Sequence, residues 1–289
     1  MNKWKRTAIF LAALMILSSL TVYAPAELAG EEGGEGEVLV LEHTEEEILP
    51  ALELKPAEPF NPDPETEQEL PEEPEERTVF DMDNRVTVKN TGEYPYSAIA
   101  YMVVKGKCGC GWTGSGFMVD RNKLLTAAHC LVCSKHSEWA KSITFYFGFR
   151  NKSSYRYKYN GKWTAYAGNL FRDREYSVDW DYGCVKLYKN VGDKVGWLGS
   201  YWGMSDSQIA NQFLYVAGYR DGVLKYDYGF ADAKSSQHIK YRMDTQPGNS
   251  GGPVFTRDYY AIGINIAEND SYNTGYRLTT TVKGDLDGL

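Results

Sequence analysis

Between Val79 and Leu289 apolar positions come in short runs, several alternating with polar ones, and Gly, Asn or Asp falls between the runs. Residues 98–104, 116–119, 143–149, 182–187, 213–217, 239–243 and 261–266 carry the clearest pattern of this kind and are predicted strands. No window keeps apolar residues at helical spacing for three turns, and the one helical hint is the turn after Ala127. Many short strands separated by turn signals predict an all-β body, either an antiparallel barrel or a sandwich; pattern alone does not choose. No repeat of fixed period is visible, which argues against a propeller or solenoid.

The amino-terminal region breaks this pattern. Residues 1–29 open with Lys3, Lys5 and Arg6, run through the apolar stretch 8–22, and end in small residues, with Ala24-Pro25-Ala26 offering a cleavage site; that order predicts a signal peptide. The apolar stretch is about 15 residues, short of the roughly 20 that span a bilayer. No later segment is longer, so the expectation is a secreted, extracellular chain with no membrane attachment after signal cleavage. From Glu27 to Thr78 there are 19 acidic residues against Lys55 and Arg77, and seven of the 11 prolines fall between Pro50 and Pro74. Such a stretch buries too little apolar surface to offset the entropy of ordering it, and is expected to be disordered by itself. It carries a net charge of −17 whereas residues 79–289 carry +6. The contrast predicts a pro-segment over 30–78 that docks by charge on a body spanning 79–289 and is later removed, the mature chain starting between Thr78 and Val86. A solubilising linker is the alternative.

Three short stretches carry chemistry. Thr126-Ala127-Ala128-His129-Cys130 follows an apolar run, so His129 sits where a strand gives way to a tight turn, a backbone-held place suited to a general base. In Gly248-Asn249-Ser250-Gly251-Gly252-Pro253, glycines allow the turn that aims the N–H groups of Gly248 and Ser250 into one hollow, as an oxyanion beside a nucleophilic serine requires. Asp179-Trp180-Asp181-Tyr182-Gly183-Cys184 offers two carboxylates to orient the imidazole, and Asp181 is favoured because it leads directly into an apolar strand.

Together these motifs, in the order His, Asp, Ser, resemble the chymotrypsin-fold (trypsin-like) serine proteases, and most of all their bacterial glutamyl-endopeptidase-like branch. The stretch 84–91 with 94–99 is similar to that branch's mature amino-terminal segment, and Val216-Ala217-Gly218-Tyr219 to a strand of its second barrel. The resemblance implies two antiparallel six-stranded β-barrels with the active site in the cleft between them. It further implies a monomeric endopeptidase acting on protein or peptide substrates, without a cofactor, through a catalytic triad of His129, Asp181 and Ser250. A catalytically silent binding protein on the same fold is the rival reading.

Departures from the family concern activation and specificity. Asn249 stands where animal digestive relatives carry an aspartate that pairs with the new amino terminus, and an amide cannot form that ion pair. Thr245 matches the branch's threonine for a substrate glutamate, but its histidine is replaced by Asn265, which supplies no positive charge. Asp244 lies where trypsin-like enzymes select Arg or Lys. Asp244, Thr245 and Asn265 are thus the expected substrate-binding residues, with glutamate, basic and broad specificity all open.

Cys108, Cys110, Cys130 and Cys133 form two close pairs; such a set can read as a zinc site, but in an exported chain disulfides are the better default, and no metal is expected. Three pairings are possible. A bridge from Cys108 or Cys110 to Cys130 would resemble the family's staple behind the catalytic histidine, so two bridges crossing between the pairs are expected. Cys184, inside a strand, is expected to be a buried unpaired thiol. His43, His136 and His238 have no motif around them and are expected at the surface. No basic run points to nucleic acid.

Overall fold

The computed structural model describes residues 34–40, 56–70, 83–167, 178–210, 212–233, 235–268 and 271–289. The expected signal peptide, most of the expected processing region and His43 lie outside the described residues. In chain order the strands are β1 (Gly34–Val40), β2 (Val86–Thr87), β3 (Ile99–Gly106), β4 (Gly111–Met118), β5 (Lys123–Thr126), β6 (Val132–Cys133), β7 (Glu138–Phe147), β8 (Tyr157–Tyr159) and β9 (Trp163–Ala167). They continue with β10 (Gly183–Leu187), β11 (Gly199–Ser200), β12 (Phe213–Arg220), β13 (Val223–Ala233), β14 (His238–Tyr241), β15 (Pro253–Phe255), β16 (Tyr260–Glu268) and β17 (Asn273–Arg277).

Alternation decides which faces go inward. In β9 Trp163, Ala165 and Ala167 are buried while Thr164 and Tyr166 are half-buried, the period-2 signature of a strand with one face on a core. In β3 nearly every side chain is buried, because a barrel wall that also packs on a neighbour is covered on both faces.

The strands form two antiparallel barrels. In the second, β16, β15, β12, β13, β14 and β17 pair in that order, and the β16–β17 pairing closes the ring. In the first, β9, β10, β5, β4, β3 and β7 form a curled six-stranded sheet whose two ends are bridged by β1. That strand runs parallel to β9, from Gly36↔Trp163 to Val40↔Ala167, and antiparallel to β7 at Gly34 and Glu35. The helix Thr280–Asp287 returns to the first barrel, where the Leu286 carbonyl accepts from Lys123 Nζ at 2.8 Å.

Within the acidic segment, residues 34–40 and 56–70 are among the described residues. Residues 56–70 lie along the body by backbone pairing of Ala57 with Ser200 and Phe60 with Trp197. Phe60 also stacks on Trp197 at 4.3 Å between ring centroids, and Leu70 is buried. The contacts are thus largely backbone and aromatic rather than charge pairs, although Tyr260 does donate to the Glu58 carboxylate.

Two further expectations are corrected. The crossing disulfides are not formed: all five cysteines are free, and Cys130 is turned away to donate to the Ser250 carbonyl at 3.3 Å. His238 is buried rather than at the surface, its ring held between Ser235 Oγ at 3.2 Å and the Val178 carbonyl at 3.0 Å. Cys184 is a buried thiol, and burial pushes its pKa up.

Candidate active site

A 3-10 turn over Ala128–Leu131 holds His129 just after β5, on the cleft side of the first barrel. Asp181, two residues before the start of β10, is fully buried. Its carboxylate accepts twice from the same residue, through Oδ2 from His129 Nδ1 at 2.6 Å and through Oδ1 from the His129 backbone N–H at 2.9 Å. The second bond fixes the backbone of the turn as the first fixes the ring. Asp179, the other candidate, is exposed and faces His238 at 3.8 Å. Burial disfavours the imidazolium, but the charge of Asp181 and its hydrogen bond to the ring outweigh it, so the His129 pKa is raised above its ordinary value.

Ser250 comes from the second barrel, on the loop before β15. Its carbonyl accepts from Ser115 N at 2.8 Å and from Cys130 Sγ at 3.3 Å, so the serine is held beside the residue that follows His129. The glycines of this loop are required by space. A Cβ on Gly251, at φ +85°, would stand 2.1 Å from the Ser115 carbonyl oxygen and 2.3 Å from Thr126 Oγ1, far inside van der Waals contact. Gly248, at φ +100°, adopts a conformation open to glycine and strained for other residues.

Ser115 on β4 was not signalled by the sequence. Besides its bond to Ser250, its hydroxyl donates to the Gly248 carbonyl at 2.9 Å and accepts from Tyr219 N at 2.8 Å. One residue of the first barrel thereby grips both Gly248 and Ser250. Arg85 was missed as well. Its buried guanidinium is paired with Asp83, Nε and Nη2 each at 2.8 Å, and donates through Nη1 to Asn249 Oδ1 at 3.1 Å. Asn249 Oδ1 also accepts from Gln246 N at 2.8 Å. The place before Ser250 is therefore occupied by an amide bonded to an internal arginine.

The expected substrate-binding residues have separate surroundings. Asp244 Oδ2 accepts from Asn84 N at 2.8 Å, which ties it to the amino-terminal stretch. Thr245 is half-buried near Glu268, whose pKa is raised by desolvation against the opposing influence of Arg220, Arg85 and Thr245. Asn265 is buried: its Oδ1 accepts from Tyr241 OH at 2.5 Å, and its carbonyl accepts from Gly251 N at 2.7 Å. It thus links the wall of the second barrel to the loop that carries Ser250.

A family model described as a trypsin-like peptidase domain matches residues 114–264. The chain is similar to the extracellular metalloprotease of Bacillus subtilis (strain 168), with 31% identity over 232 residues that cover 72% of this chain and 68% of that protein. It is also similar to the glutamyl endopeptidase of Bacillus licheniformis, with 27% identity over 226 residues covering 73% and 68%. Among solved structures, a Glu endopeptidase in complex with MPD has a TM-score of 0.61 at 21% identity, over 72% of this chain and 96% of that one. The protease Anisep from Arthrobacter nicotinovorans has a TM-score of 0.55 at 19% identity, over 68% and 97%. At these identities the structural likeness bears on the fold.

Proposed function

This chain belongs to the trypsin-like peptidase family and is a serine endopeptidase of the chymotrypsin fold, and on that premise we propose that Ser250, His129 and Asp181 are its catalytic triad. The observation that carries this reading is the buried Asp181 carboxylate accepting both N–H groups of His129, at 2.6 and 2.9 Å. The Nδ1 hydrogen bond selects the tautomer in which Nε2 is the base. As Ser250 Oγ attacks a peptide carbonyl, Nε2 takes its proton and then passes it to the leaving amine. Asp181 stays ionised and stabilises the imidazolium between those steps, and the N–H groups of Gly248 and Ser250 receive the oxyanion. Water, activated by His129 in turn, hydrolyses the acyl-enzyme.

A serine-reactive fluorophosphonate tests the assignment. Mature wild-type protein is expected to label and Ser250→Ala is not; an unlabelled wild type, or equal labelling of both, would sink the triad.

The chain is further read as exported and made as a zymogen. Its basic, apolar start supports export, as does the name of its extracellular relative. The contacts of residues 56–70 along the body support a pro-segment rather than a bare linker. Specificity is read from Thr245. With the Glu268 carboxylate close enough for Thr245, Arg220 and Arg85 to favour its charged form, this wall repels a substrate glutamate and suits neutral or basic side chains. In a peptide library, predominant cleavage after glutamate would reverse this reading.

A further inference from the structure

Cys108, Cys110, Cys133 and His136 take no part in the site described above, yet their ligand atoms all lie within 4.8 Å of one another. We propose that these four residues form a structural zinc site, joining the turn between β3 and β4 to the turn between β6 and β7.

Distances support coordination over a chance gathering. Zinc bound by sulfur at about 2.3 Å and by nitrogen at about 2.0–2.1 Å, with tetrahedral angles, sets sulfur and nitrogen about 3.6 Å apart. His136 Nδ1 lies 3.3 Å from Cys110 Sγ and 3.6 Å from Cys133 Sγ. A disulfide needs two sulfurs at about 2.05 Å and would leave the third thiol and the imidazole without a purpose. Here all three thiols are free, and an otherwise exposed histidine turns its ring against two of them. Three thiolates and one imidazole are the donor set of a closed zinc site, in which no position remains for a substrate.

The backbone prepares this arrangement. Gly109, at φ +83°, lets the chain reverse between Cys108 and Cys110, and the turn is closed by Gly109 N to Gly106 O at 3.0 Å and Gly106 N to Cys110 O at 2.8 Å. The Cys133 carbonyl accepts from His136 N at 3.3 Å and Ser137 N at 2.7 Å, which brings His136 back over Cys133. Lys107 N to Trp139 O, at 2.9 Å, joins the two turns. Cys130 stands apart, with its sulfur over Gly114 and bonded to the Ser250 carbonyl. Since Cys133 ends the short segment that begins with the His129 turn, the metal anchors the downstream end of the piece of chain that presents the base.

The full-length chain, produced with zinc in the medium, is tested by elemental analysis, by thiol titration after denaturation in chelator, and by absorption after exchange of zinc for cobalt. About one zinc per chain, five titratable thiols and strong thiolate-to-cobalt bands are expected. Cys133→Ser and His136→Ala are expected to lose the metal, whereas Cys184→Ala and Cys130→Ser keep it. Two outcomes for the wild type overturn the site, whatever the folding of the variants: a disulfide-linked peptide in which Cys108, Cys110 or Cys133 is bridged to any other cysteine, or a metal-free chain with all its thiols reduced. Neither outcome depends on activity, so the triad and the zinc site stand or fall separately.

Discussion

The second barrel completes its ring from its own strands, because β16 pairs with β17, whereas the edges β7 and β9 of the first barrel are joined through β1, which comes from the acidic amino-terminal region. His129 and Asp181 are carried by the barrel that borrows a strand, Ser250 by the one that does not. Each side of the cleft also holds its residues differently. On the borrowed side a buried charge fixes His129 through two hydrogen bonds; on the self-contained side glycines and main-chain contacts fix Ser250. In the full-length chain, geometry on the first side therefore depends on electrostatics and on an added segment, and on the second on steric fit.

Asp181→Asn attacks the electrostatic side and should have the largest effect, a fall in kcat of about 10⁴-fold with the fold retained. It should also move the pH profile. In the proposed mechanism turnover needs neutral His129, whose pKa is raised by the Asp181 charge against burial, so wild-type kcat/KM should climb with pH through a value above the ordinary histidine range of about 6.5, and the variant's limb should lie lower. The same raised pKa contributes stability below the unfolded-state value, and this is lost as pH rises through the folded-state value. An unshifted limb would mean that Asp181 does not set the charge of His129.

Gly251→Ala attacks the steric side. The added Cβ meets the Ser115 carbonyl oxygen at 2.1 Å, and a loss of about 4 kcal/mol of unfolding free energy is expected by chemical denaturation. A loss under about 1 kcal/mol would show that the loop yields, and that fit is not what holds Ser250. Removing residues 1–55, and with them β1, should cost about 3 kcal/mol through its lost ladder. Amide exchange should then speed up in β7 and β9 while β16 and β17 stay protected. Equal loosening of both barrels would erase the contrast between them. Arg85→Ala should be mildest, about 1.5–3 kcal/mol from thermal unfolding, for the lost charge-assisted bonds to Asp83 and Asn249.

Local patterns were legible in the sequence. The predicted strands 98–104, 143–149, 213–217 and 261–266 each overlap a strand of the structure, because their apolar residues are consecutive or alternate without interruption. By contrast, β13 escaped notice since charged and glycine positions interrupt it, and β17, Asn-Thr-Gly-Tyr-Arg, has little apolar character to detect. The strand β1 was hidden by its acidic surroundings, as composition averages over the few residues that pair. Ser115 and Arg85 act through partners more than a hundred residues away, and no local pattern encodes such a bond. Cysteine spacing showed that the thiols could meet without showing which way each Sγ would turn.

The parallel pairing of β1 bears on the order of folding. Gly36 meets Trp163, more than a hundred residues later, so the strand synthesised first waits for a partner that emerges on the order of ten seconds afterwards at about 5–20 residues per second. Closure of the first barrel is thus a late, long-range event, slow by the entropy of the loop it closes. Until then the chain exposes two unpaired strand edges, and a high density of like charge around the waiting strand keeps neighbouring chains from pairing there first.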